Sequence, residues 1–125
     1  MLRAPLSAAP AALAAGLLVQ GCDATTPCLA YAVSSLSVTV VDANTREGLC
    51  GASVTASEGT FSERLLGFGM PCVYSGPYER PGSYSVRAER EGYQPASVDN
   101  VVVRLGPGPC VHVGTAFVTI ALERR

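Results

Sequence analysis

His112 is the chain's single histidine, and the chemistry it could support sets the first question. A nucleophilic triad needs an imidazole beside an activated serine or cysteine, with a carboxylate to orient the ring. No Gly-x-Ser-x-Gly elbow presents such a serine. Cys110-Val111-His112 is a Cys-x-His pair to which Cys50 and Cys72 could add two zinc ligands. Structural zinc sites use close C-x₂₋₄-C pairs, and this chain has none. The expectation is therefore no metal and no cofactor, with His112 a strand-edge or loop residue beside a disulfide. Glu89 with Glu91, and Glu58 with Glu63, are spaced for paired-carboxylate acid–base work. Arg87 and Arg90 surround the first pair, which reads as a solvated face of mixed charge. No phosphate loop, His-Glu-x-x-His or calcium loop occurs. The chain is expected not to be an enzyme, and a small hydrolase is the remotest reading.

What the cysteines do depends on their compartment. Met1-Leu2-Arg3 carries one positive charge, and Ala4 to Val19 carries none and is rich in Ala and Leu. A short basic start, an apolar run and small residues before a cut site read as a secretory signal. Pro5 and Pro10 interrupt the run, which is short for a membrane span. Val19-Gln20-Gly21-Cys22 resembles a bacterial lipobox. That resemblance implies a diacylglyceryl thioether on Cys22, cleavage after Gly21, and acylation of the new N-terminus. Two or more acyl chains anchor a protein stably where one does not. The expected address is the bacterial cell envelope, lipid-anchored and facing periplasm or exterior, with the membrane as a partner through Cys22.

Cys28, Cys50, Cys72 and Cys110 remain, an even number in an oxidising compartment. Four cysteines allow three pairings; the favoured one is Cys50 with Cys72 and Cys28 with Cys110. The first would staple the long irregular stretch, the second the start of the first strand to the start of the last.

The elements that would position these residues are strands. Leu36, Val38 and Val40 alternate with Ser37 and Thr39; Ala52, Val54 and Ala56 alternate with Ser53, Thr55 and Ser57. A period of two puts successive side chains on opposite faces. With Asp42, Asn44 and Gly48 between them, the two runs read as a hairpin over 36–57. Glycines and prolines punctuate 59–81, which reads as irregular apart from a short strand over 72–75. Gly82 to Arg90 is a strand with Tyr84, Val86 and Ala88 inward. Val98 to Leu105 is another, with Val101, Val103 and Leu105 inward. The last strand, 111–122, changes parity, and a bulge near Gly114 would reconcile its halves. No helical period follows Cys22. The expected fold is all-β: one Ig-like, transthyretin-like antiparallel β-sandwich over 35–125, after a signal peptide at 1–21 and a lipidated tether at 22–34.

Two segments resemble the carboxypeptidase regulatory-like family, a transthyretin-like sandwich. They are Val41-Asp42 with Leu49-Cys50-Gly51-Ala52-Ser53-Val54, and Gly82-Ser83-Tyr84 through Gly92-Tyr93. The usual Thr-Gly-x-Pro turn is replaced by Thr45-Arg46-Glu47-Gly48. The resemblance implies an accessory or adhesive module without catalysis. A related branch hydrolyses 5-hydroxyisourate with several histidines and a C-terminal Tyr-Arg-Gly-Ser; here there is one histidine and the chain ends Leu122-Glu123-Arg124-Arg125.

All nine basic residues are arginine and the net charge is −1, which gives no footprint for nucleic acid. The candidate binding residues, in a stretch that also holds Leu66, are Phe61, Leu65, Phe68, Met70, Tyr74 and Tyr78. On a stapled loop they would form a recognition surface for an envelope protein or glycan; folded back, they would cap the sandwich. The functional expectation is a membrane-anchored envelope lipoprotein with a non-catalytic binding or accessory domain. The second reading is a passive subunit or spacer of an envelope complex.

Overall fold

The computed structural model describes Cys28 and residues 30–125. The signal-peptide and lipidation readings fall on residues 1–22 and lie outside the described residues. The chain divides into residues 1–30 and Tyr31–Arg125. Of the first unit only Cys28 and Ala30 are described, and both are exposed.

The second unit consists of nine strands: β1 (Ser34–Asp42), β2 (Ser53–Glu58), β3 (Phe61–Arg64), β4 (Leu66–Phe68), β5 (Val73–Tyr78), β6 (Gly82–Glu89), β7 (Ala96–Leu105), β8 (Val113–Gly114) and β9 (Ala116–Leu122). They form two sheets, β4-β5-β1-β9 and β3-β2-β6-β7-β8, so the fold is the expected all-β sandwich. One pairing, β1 with β9, is parallel; the other strand pairs are antiparallel.

The core follows the alternation. Leu36, Val38 and Val40 on β1, Val54 and Ala56 on β2, and Val86 and Ala88 on β6 are all fully buried. Tyr74, Tyr84 and Tyr93 are its largest members. Each keeps its hydroxyl paired inside, as a buried Tyr requires. The Tyr74 hydroxyl donates to the Leu49 carbonyl at 2.9 Å and accepts from the Ala52 amide at 3.0 Å. The Tyr84 hydroxyl donates to the Arg80 carbonyl at 2.6 Å.

Pairing departs from the sequence expectation at four places. β1 and β2 are not a hairpin: they lie in different sheets, and the 43–52 connection arches between them. Their apolar faces point at one core from opposite sides, and alternation alone does not distinguish that from neighbours in one sheet. The stretch 59–81 is not irregular but contains β3, β4 and β5, with glycines at the tight places. Gly69 takes φ +81°, and a Cβ on Gly67 would come within 2.8 Å of the Tyr74 ring.

The parity change after Val113 is not a bulge. β8 pairs with β7 and β9 with β1, so the chain changes sheets at Thr115. The bulge lies in β7 instead, where Asp99 and Asn100 (φ +58°) intervene between the partners of Val86 and Tyr84. Leu105, expected inward, lies past the last β6 partner of β7, where Gly82 meets Val103, and is 55% exposed.

Registers define two ends. At the near end Ser34 meets Tyr78, Gly82 meets Val103 and Leu105 meets Val113. At the far end Asp42 meets Leu122, Val41 meets Gly48 and Tyr93 meets Arg124.

Candidate functional site

The far end carries a surface built where the chain steps between sheets. The Leu65 amide donates to Val54 on β2, and the next residue, Leu66, pairs with Ser75 on β5. Leu65 is thereby buried, and on β4 the side chains of Leu66 and Phe68 point outward, 62% and 58% exposed. The loop that follows places Met70 89% exposed, its sulfur 3.7 Å from Cys50 Sγ. A disulfide joins Cys50 to Cys72 beneath this loop, and Cys28 and Cys110 are disulfide-bonded as well. Pro71 packs on Gly48 so closely that a Cβ there would lie 2.7 Å from it. Beside Leu66 opens a hollow of about 380 Å³ whose walls include Leu65, Gly67, Cys72, Tyr74 and Arg64.

The six candidate binding residues therefore do not form one surface. Leu65 and Tyr74 are core residues, each 3% exposed, and line the hollow. Phe61 is half-buried: the Arg80 guanidinium lies 3.7 Å over its ring and Tyr84 packs against it edge-on. Tyr78 is exposed, but at the near end. Phe68 and Met70 remain together and are joined by Leu66. The period-two rule would have placed Leu66 and Phe68 on one face, opposite Leu65, but the surrounding glycines hid the strand. Phe117, 82% exposed on the outer face of β9, was hidden by the change of sheet.

Four carboxylates, Asp42, Glu79, Glu58 and Glu89, are held in structural pairs. Asp42 is buried. Its carboxylate accepts from the amides of Thr45 (3.0 Å) and Asn44 (2.8 Å), from Arg124 Nε (2.7 Å) and from the Tyr93 hydroxyl (2.8 Å). The Thr45 amide above all, then Arg124 and Tyr93, hold it far below the usual carboxylate range. Glu79 accepts from the backbone amides of Val33 and Val113, and its other partner is His112 Nδ1. His112, foremost, lowers the Glu79 carboxyl. The Tyr31 ring stacks on His112 with centroids 4.9 Å apart. Among the described residues no hydroxyl is hydrogen-bonded to the imidazole.

Glu58 accepts from the Ser83 amide and from Arg80, both at 2.7 Å, and both lower its carboxyl. Glu89 is paired with Arg87 at 2.8 Å. One member of each carboxylate pair read from spacing, Glu58 and Glu89, is thus held by an arginine. Among the described residues no three His, Cys, Asp or Glu side chains converge as a metal site. What the arrangement offers chemically is apolar contact at the far end. Neither family models nor curated protein sequences match the chain.

Proposed function

We propose that this chain is a lipid-anchored cell-envelope protein whose disulfide-stapled sandwich is a non-catalytic binding domain. Its ligand is an envelope protein that seats on Leu66, Phe68 and Met70. The observation that carries the reading is the exposure of these three side chains beside the apolar hollow. Exposed apolar patches of this kind mark interaction sites. Leu66 and Met70 offer no hydrogen bonds to sugar hydroxyls, which favours a protein over a glycan. The tether enters the domain at the end away from this surface. β1 rises from Ser34, near the tether, to Thr39, opposite Val73 and one strand from Phe68. At ~3.3 Å per residue that is about 17 Å along the strand.

The carboxypeptidase regulatory-like reading is supported by one contact. Asp42 of the first segment and Tyr93 of the second are joined by a 2.8 Å hydrogen bond. The pairing of Cys28 with Cys110 belongs to the same proposal, and non-reducing peptide mapping checks it.

The test is a photo-crosslinking residue at position 68 in the native cell. One dominant protein adduct is expected, lost in Met70→Asp and retained in Tyr78→Ser. No adduct from folded, lipidated protein would overturn the binding reading and favour the passive spacer.

A further inference from the structure

We infer that the near end of the sandwich is a bilayer-contacting face, with Tyr31, Tyr78, Leu105 and Val111 seated among lipid headgroups. The inference rests on the lipid anchor at Cys22 proposed above and adds an orientation to it.

These four residues come from four separate segments, and the fold brings them to one end. Tyr78 pairs with Ser34, Leu105 pairs with Val113, and the Tyr31 ring lies flat on His112, the neighbour of Val111. All four are half-exposed or more: 55% for Tyr31, 50% for Tyr78, 55% for Leu105 and 62% for Val111. Two are tyrosines, whose apolar ring and polar tip suit the membrane–water interface.

Charge is distributed to match. The loops of the near end, 59–60, 79–81 and 106–112, carry Glu79, Arg80 and His112. Glu79 and His112 face each other, and Arg80 lies 2.7 Å from Glu58. Glu79 also accepts from the Val33 and Val113 amides, so each charged group of these loops has a hydrogen-bonding partner. Arg104 is exposed beside Leu105 and has no ion-pair partner among the described residues. It is a cation placed for lipid phosphates. The far-end loops carry Arg46, Glu47, Arg90, Glu91, Glu123, Arg124 and Arg125, a density of charge that belongs in water.

Chain length keeps the near end, where the tether enters, within reach of the membrane. Between Cys22 and Tyr31 the chain spans at most about 30 Å even fully extended, at ~3.3–3.6 Å per residue. The lipid therefore sits within that distance of the tyrosine.

The chain has no tryptophan, so one introduced Trp is the sole reporter. The full-length lipidated protein would carry Tyr31→Trp, Val111→Trp, Phe117→Trp or Phe68→Trp singly. It would be placed in vesicles of phosphatidylethanolamine and phosphatidylglycerol with brominated acyl chains. The reporters at 31 and 111 are expected to shift to the blue and lose about half their emission against unbrominated vesicles, as interfacial indoles do. The reporter at 68 is expected to lose none, and the one at 117 less than those at 31 and 111. Equal emission at all four positions, or quenching confined to 117 and 68, would overturn the inference. Mass measurement of the N-terminal peptide separates the two layers. A lipidated chain without quenching at 31 and 111 removes the orientation and leaves the anchor. An unlipidated chain removes both.

Discussion

Removing one oxygen from the core tests the packing argument most directly. Tyr74 is 3% exposed, and its hydroxyl is the partner of two backbone groups of the β1–β2 arch, the Leu49 carbonyl and the Ala52 amide. Tyr74→Phe keeps the ring, and with it the apolar contacts to Gly67 and the hollow, but leaves both groups without that partner. A buried hydrogen-bonding group left unsatisfied costs ~1–3 kcal/mol. The hollow admits water to one side of the site, so the sum is expected near the lower limit, about 2 kcal/mol. In a domain of this size that lowers Tm by roughly 8–16 °C. The assay is urea unfolding with disulfides intact, comparing midpoints at unchanged slope. Tyr78→Phe is the control; its hydroxyl has no hydrogen-bond partner among the described residues and the side chain is 50% exposed, so a change within about 0.5 kcal/mol is expected. A Tyr74→Phe loss as small as the control's would refute the claim that this hydroxyl holds the arch.

Three further outcomes are expected. The Asp42 carboxyl is lowered in the folded protein from its ordinary value of 3.8, so it contributes stability that is present above that value and drains away as pH falls toward the folded pKa. Unfolding midpoints measured from pH 6 down to pH 2 should therefore fall in wild type, and Asp42→Asn should flatten that acid limb. Replacing Cys50 and Cys72 together by serine opens a loop of sequence separation 22 and should cost about 3 kcal/mol on the chain-entropy account, read from denaturant curves without reductant. Gly67→Ala drives a Cβ to 2.8 Å from the Tyr74 ring; calorimetry should show a loss of about 1–3 kcal/mol, the usual result of overpacking.

Much of the fold was legible because burial imposes a period of two. Leu36, Val38, Val40, Val54, Ala56, Val86 and Ala88 announce their inward faces in the order of the residues, and each is fully buried. An even set of cysteines and the absence of a helical period beyond Cys22 likewise follow from composition. Alternation, however, names a face and not a neighbour. β1 and β2 satisfy the same pattern whether they share a sheet or oppose each other, and only the packing of the remaining strands decided for opposite sheets.

The chain changes sheets at Leu65 and again at Thr115. At Leu65 the alternation runs on, so Leu65 is core while Leu66 is exposed, whereas at Thr115 inside and outside reverse, so that Val113 is buried and Phe117, of the same parity, points to solvent. The candidate surface sits at the first of these steps, so its members were nameable from sequence but not separable. The partners of Asp42 were illegible for a related reason. Tyr93 and Arg124 lie 51 and 82 residues away along the chain, and no local pattern encodes a contact that exists only once both sheets have closed. Local alternation determined which side chains are buried; the closing of the sandwich decided which of them meet.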